Sequence, residues 1–289
     1  MPSVPLRFNG LGVGFAPYLI KPPEDVVRWT VGEPGFDTPR PIVDEAIAAL
    51  ERGETHYTRG PGSMELCSKV SAQLNRLWNL TSTPESVMIT PGAKQALLYS
   101  MMVTMESGDE MLVPSPAWPT YDGQAALLGI KPVFTKTYEN FHPDLENMRN
   151  SITPKTRCIL INSPNNPTGA VYTPDEIQSI VDLAVEFDLW IISDEIYARL
   201  VWSEWPHVSP ASLPGGKERT LVVTGFSKSF AMTGWRLGVL AGPVNAMQAA
   251  FACQANANSH VPTFLMPAAA VALDQDEYVN AFCEQYIKR

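Results

Sequence analysis

Hydrophobic positions change period repeatedly along this chain. PIVDEAIAALERG places Ile42, Val43, Ala46, Ile47 and Leu50 on one helical face, with Pro41 near the start and Gly53 as a stop. SMELCSKVSAQLNRLWNL predicts a second helix. From there, short β-rich runs alternate with helical stretches: SVMIT, then AKQALLYSMMVTM; EMLVPS, then PTYDGQAALLG; KPVFTK; RCILINS, then TPDEIQSIVDLAVEFD; LWIISDE; and TLVVTGF. This alternation predicts βαβ units, an α/β fold with a mostly parallel sheet covered by helices. The tail from about Asn245 reads as helical to Arg289, whereas residues 1–40, punctuated by PPED, VGEPGF and TPRP, read as an irregular arm. No internal repeat or low-complexity tract interrupts the pattern.

Composition narrows the classes open to such a fold. With 289 residues, 45% hydrophobic and 18% charged, the chain can bury a large core in one or two domains. The net charge of -9, from 21 basic and 30 acidic residues, gives no reason to expect nucleic acid or an anionic membrane, so any anion must be bound locally. No run approaches the roughly 18 apolar residues of a membrane span. Cys67, Cys158, Cys253 and Cys283 form no CxxC pair and the four histidines no metal-binding spacing, which predicts free thiols in a reducing cytosol and no metal. Between Arg7 and Ile20 a mildly apolar stretch is broken by Asn9, two glycines and Pro17, with no AxA-like cleavage site after it, so export is not expected.

In open sheets of this class ligands sit beyond the carboxyl ends of the strands. Four of those ends carry unusual residues. PGAKQ follows SVMIT and puts Gly92 and Ala93 where helix-start amides can face a phosphate, or where an ordinary βα turn would stand. NSPNNPTG follows RCILI; Pro164 and Pro167 stop any regular element there. SDEIY ends a buried run on Asp194, which needs a cation or donors: a protonated pyridine nitrogen is one such partner, a helix N-cap or structural ion pair another. GFSKSFAMTGWRLG follows TLVV with Lys228 and Arg236 among small and apolar residues. There burial and a neighbouring cation would drive the lysine toward its neutral, nucleophilic form, although two solvated surface cations fit the same letters. A phosphate cradle, a buried acid, a loop amide, a tyrosine and a Lys/Arg pair together form the set that pyridoxal phosphate needs.

In this order, VGEPGFDTP, YTRGPGSMEL, PGAKQAL, VPSPAWPTY, NSPNNPTGAVY, SDEIY and SKSFAMTGWRLG resemble the class I/II aminotransferases, fold-type I pyridoxal phosphate enzymes related to aspartate aminotransferase, over nearly the whole chain. The resemblance implies a three-layer αβα domain around a seven-stranded sheet. It implies residues 1–45 as an N-terminal arm and part of a small domain, 46–289 as the large cofactor domain, and a small domain otherwise mostly absent. It also implies amino-group transfer from an amino acid to a 2-oxo acid through a Lys228 Schiff base. Lys228 would then move the α-carbon proton, and Asp194 would hold the pyridinium proton. Asn166 and Tyr197 would bond the phenolic oxygen, Trp118 would stack on the ring, and Arg236 with the Gly92, Ala93 and Lys94 turn would hold the phosphate. Tyr57 would reach the partner's phosphate in a homodimer, and Gly32 would leave room for the substrate carboxylate.

Three departures qualify the resemblance. Gly225 stands where a phosphate-binding hydroxyl is usual, leaving Thr224 or Ser227 as substitutes. Met266 replaces a glutamine in the segment expected to face the neighbouring site. The arginine expected to grip the substrate's α-carboxylate lies in the part beyond Arg289, which reads as a fragment or a reduced variant. A carbon-sulfur lyase or synthase of the same fold, and an inert cofactor-binding fragment, share every residue named.

Overall fold

The six runs expected to be strands form β1 (Val87–Thr90), β2 (Glu110–Pro114), β3 (Lys131–Thr135), β4 (Thr156–Asn162), β5 (Trp190–Asp194) and β6 (Thr220–Gly225) in a computed structural model that describes residues 23–26 and 31–288. Residues 1–22 and 27–30 of the expected arm, with the stretch judged for export, lie outside the described residues. A seventh strand, β7 (Gly238–Ala241), completes one sheet in the order β1-β7-β6-β5-β4-β2-β3. Pairing is parallel from β3 through β6, and β7 runs antiparallel to both β6 and β1. The inner strands β2, β4, β5 and β6 lack the apolar/polar alternation of a half-exposed sheet because helices cover both faces, whereas the edge strand β3 stays partly exposed.

Strand alternation divides the core between those faces. Met111, Val113, Leu160, Ile192, Leu221 and Val223 point toward α3 (Ala93–Thr104), α4 (Thr120–Leu128) and α7 (Val244–Ala257). Their neighbours Leu112, Ile159, Ile161 and Ile191 pack on α6 (Pro174–Glu186). Val222 and Val239 meet α1 (Arg40–Glu51), α2 (Met64–Trp78) and α8 (Leu265–Ala272). The result is the expected three-layer arrangement. α5 (Leu145–Asn150) is a short addition capped by Asp144. Local signals explain the main helix starts: Ser63 caps α2, and Thr173 with Glu176 forms a capping box on α6 around Pro174.

α1 runs unbroken through residue 45, where the sequence suggested a domain boundary, and packs on α8. α9 (Asp276–Ile287) is docked at its start by Asp276, which binds Arg199 at 2.5 Å and Arg76 at 2.8 Å. Among the described residues no helix is long and apolar enough to cross a membrane.

Candidate active site

β5 delivers Asp194 to the carboxyl end of the sheet, where it is only 2% exposed. Its Oδ2 accepts a hydrogen bond from the Tyr121 hydroxyl at 2.8 Å, and its Oδ1 a longer one from the Ile196 amide at 3.3 Å. Asp194 therefore caps no helix, and among the described residues no cation lies within ion-pair distance of it. Burial dominates its chemistry and pushes the carboxyl up to about 6, opposed by the Tyr121 and Ile196 bonds and by the more distant Lys228 charge, and reinforced by Glu195. Glu195 is itself fully buried, bonded to His207 Nε2 at 2.9 Å and accepting from the Ser209 hydroxyl at 2.6 Å.

The loop after β4 is tied to β5 through Asn162. Its amide nitrogen donates to the Asp194 carbonyl at 2.8 Å, and its side-chain oxygen accepts from the Asn166 backbone amide at 2.7 Å. That link brings the Asn166 side chain to the Tyr197 hydroxyl, at 3.5 Å. Burial raises the Tyr197 phenol to about 12, and the Lys228 Nζ stands 5.8 Å over the Tyr197 ring.

Lys228 follows β6 in a turn with the buried Ser227, and its Nζ donates to the Gly32 carbonyl. Burial lowers the pKa of this amine and Arg236 adds to that, while Glu33 and Asp194 act in the opposite sense. Gly32 and Lys228 thus meet in one place although 196 positions apart.

The turn between β1 and α3 is built around Gly92, at φ +83°, and α3 begins without a side-chain cap. A Cβ on Gly92 would strike the Arg236 guanidinium, so glycine here is what lets that cation lie against the helix start. Gly238 serves the same approach, since its Cβ would meet the Gly92 and Ala93 backbone. Lys94 stands 5.1 Å over the Trp118 ring, and burial, then Arg236, lowers its pKa. Tyr121 meets Trp118 edge-on at 5.7 Å.

Gly92, Ala93, Lys94, Trp118, Asn166, Asp194, Tyr197, Ser227, Lys228, Arg236 and Gly32 therefore gather at neighbouring strand ends. Tyr57 does not join them: it is 92% exposed and edge-on to His260 at 5.7 Å. A Cβ at Gly225 would lie 2.9 Å from both Gly238 Cα and Leu237 O, so close strand approach explains the missing hydroxyl. Thr224 is committed to the Glu195 carbonyl at 3.3 Å, which leaves Ser227 as the hydroxyl beside Lys228. Met266 is a core residue, 1% exposed, with its sulfur 3.2 Å from the Ser63 amide. Sequence reasoning passed over Tyr121, Asn162 and Glu33. The signal for Tyr121 was its place three residues after Trp118, in the first turn of the helix that follows it.

The arrangement fits pyridoxal phosphate on three observations: a cationic cradle that a Cβ would fill, a buried carboxylate with no cation within ion-pair distance among the described residues, and an amine biased toward its neutral form.

Comparison with known proteins gives the same direction. The model for aminotransferase class I and II matches residues 24–289. The bifunctional aspartate aminotransferase and glutamate/aspartate-prephenate aminotransferase of Petunia hybrida is 40% identical over 86% of this chain and 52% of its own length. Aromatic-amino-acid aminotransferase 2 of Thermococcus litoralis is 41% identical over 86% of this chain and 65% of its own. The structure of aspartate aminotransferase from Rhizobium meliloti superimposes with a TM-score of 0.92 at 31% identity, over 100% of this chain and 75% of that one. The chain thus spans about half to two thirds of the length of these two curated relatives.

Proposed function

The chain belongs to the aminotransferase class I and II family, and from that premise we propose that it transfers an amino group from an amino acid to a 2-oxo acid, with pyridoxal phosphate carried on Lys228. Members of this family depend on that cofactor. When bound, it supplies an aldehyde for an amine to condense with and a ring that draws electrons from the amino acid's α-carbon. The observation that supports this reading best is the meeting of Lys228 with Gly32, Tyr197 and the field of Arg236 at the carboxyl edge of the sheet.

Each residue then has a physical task. Lys228 Nζ is the nucleophile and afterwards the base that moves the proton at the α-carbon. Asp194 holds a proton on the ring nitrogen, and Tyr121 keeps that carboxylate in place. Asn166 and Tyr197 offer hydrogen bonds to the phenolic oxygen. Trp118 covers the ring, and Arg236, Ser227 and the Gly92–Lys94 turn hold the phosphate, with Gly32 clearing space for the substrate carboxylate. The exposure of Tyr57 suits a residue that completes a second copy's site, so the active form is taken to be a homodimer. The free cysteines suit a cytoplasmic setting. Residues 46–289 form the cofactor domain in this reading, and residues 1–45 the arm and part of the small domain.

Incubating the full chain with the cofactor, a 15N-labelled amino acid and 2-oxoglutarate is expected to yield labelled glutamate by mass spectrometry. Release of free ammonia in place of label transfer would indicate elimination chemistry instead. Gly92→Ala is expected to displace the Arg236 guanidinium and weaken cofactor affinity about 10- to 100-fold in an absorbance titration, the worth of one charge-assisted hydrogen bond. Unchanged affinity would remove Arg236 from the cradle.

A further inference from the structure

We propose that Glu195 is a positioning residue for the reaction: its buried carboxylate, held behind the strand end by His207 and Ser209, adds negative field at Asp194 and so tightens that residue's hold on the cofactor's ring nitrogen. This rests on the reading of Asp194 as the partner of that nitrogen.

Glu195 follows Asp194 directly at the end of β5, and the two side chains part there. Asp194 turns to Tyr121 on α4, and Glu195 turns to His207 and Ser209 in the connection to β6. Glu195 is fully buried and is fixed at every polar group it has. Its amide donates to the Val223 carbonyl at 2.7 Å, and its carbonyl accepts from the Ala198 amide at 3.0 Å and the Thr224 hydroxyl at 3.3 Å. Its carboxylate takes the Ser209 hydroxyl on Oε1 at 2.6 Å and His207 Nε2 on Oε2 at 2.9 Å. With Asn162 on the Asp194 carbonyl at 2.8 Å, two consecutive acidic residues are clamped to the carboxyl edge of the sheet.

A clamp alone needs no charge, and a buried carboxylate is costlier than an amide that could make the same contacts. The pattern of hydrogen bonds keeps that charge in place. His207 is seated edge-on against Trp78, 5.6 Å between centroids, and its Nδ1 is buried with no partner among the described residues. A proton on Nδ1 would be an N–H without an acceptor, so the ring proton belongs on Nε2, where Glu195 receives it. The pair is then an anion held by two donors, one residue away from Asp194. Burial comes first in raising the Asp194 carboxyl, and Glu195 adds to it, against Tyr121, Ile196 and Lys228. A carboxylate raised by a neighbouring anion holds a shared proton more strongly.

The test compares pyridoxal phosphate with its 1-deaza analogue, in which a ring C–H replaces the nitrogen, by absorbance titration of the full chain. The wild type is expected to prefer the natural cofactor about 10- to 100-fold, the worth of a charge-assisted hydrogen bond, and Asp194→Asn to lose that preference. Glu195→Gln keeps the shape and removes the charge. It is expected to cut the preference about three- to tenfold while leaving affinity for the analogue within about twofold of wild type. Glu195→Asp keeps the charge, shortens the reach to His207 and Ser209, and is expected to retain the preference. A purely structural clamp would lower both affinities together and suffer as much from Glu195→Asp. That pattern, or a preference unmoved by Glu195→Gln, overturns the inference and leaves Asp194 on the ring nitrogen. A preference that survives Asp194→Asn removes Asp194 from that role, and this inference with it. In the cofactor-free chain, 13C NMR of the carboxyl carbons is expected to show Asp194 titrating at lower pH in Glu195→Gln than in wild type, and Glu195 ionised in the wild type at neutral pH. An unmoved Asp194 midpoint overturns the inference, as does a protonated Glu195 in the wild type, the latter even where no variant folds.

Discussion

Lys228→Ala is expected to abolish covalent capture of pyridoxal phosphate and to lower amine transfer by about 10⁴-fold or more, because one nitrogen serves as both nucleophile and base. Borohydride treatment of the loaded wild-type chain followed by peptide mass mapping is expected to find the cofactor on the peptide that carries Lys228, and nowhere in the variant. The amine is suited to the task by its surroundings. Burial comes first and the Arg236 charge second in lowering its pKa, so its neutral form becomes available at a lower pH than for a solvated lysine. The rate of capture is therefore expected to rise with pH and to level off below the range of a free lysine. Lys228→Arg separates charge from nucleophilicity, since a guanidinium keeps the positive charge and does not deprotonate. It is expected to preserve the fold, checked by circular dichroism, and to be as inert as the alanine variant. A reduced adduct on another lysine, or transfer persisting in both variants, would end the Lys228 assignment.

The elements most legible in the sequence were those whose local signal and tertiary role agree. TLVV and LWII are apolar runs of strand length, and both are central strands paired on each side, LWII parallel to both neighbours and TLVV parallel to β5 and antiparallel to β7, buried because helices cover both faces. Asp194 stood out because a carboxylate at the end of such a run must be buried, and it is. β7 was harder to see: GVLA is only four residues long, begins with glycine, and owes its strand state to pairing with β6 and β1 rather than to its own pattern. The glycine that starts it is explained by a contact more than a hundred positions away, the Gly92 backbone. Gly225 shows the same limit. A departure from the family pattern in the letters becomes, in three dimensions, a place where two strands approach too closely for any Cβ. Tyr121 could be suspected from its place three residues after Trp118, but its bond to Asp194 joins residues 73 positions apart, and no local pattern marks that pairing.

Asp194→Asn is expected to pull stability and function in opposite directions. In the cofactor-free fold the Asp194 carboxyl is raised to about 6, chiefly by burial, whereas an unfolded aspartate titrates near 4. Between those values the folded chain holds more protons than the unfolded one. This group's contribution is therefore full below about pH 4 and is lost as pH rises through about 6, a change of about 3 kcal/mol for a site this buried. Above pH 7 the cofactor-free wild type carries a buried charge whose hydrogen bonds from Tyr121 and Ile196 compensate it only in part. Asparagine removes the charge and keeps an oxygen for the Tyr121 hydroxyl. At pH 7.5 the cofactor-free variant is accordingly expected to unfold at higher urea than wild type, by about 1 to 3 kcal/mol, and the gap to close near pH 5. With the cofactor present the order is expected to reverse. A protonated ring nitrogen would give the wild-type carboxylate a cation within ion-pair distance, and binding that favours the folded state adds stability as affinity rises. The variant offers no charge to hold that proton, so its amine transfer is expected to fall about 10²- to 10³-fold, the scale of losing one preorganised electrostatic group. A variant no more stable than wild type at pH 7.5 without cofactor, or equally active with it, would show that Asp194 is held by its protein hydrogen bonds alone and has no charge to lend the ring.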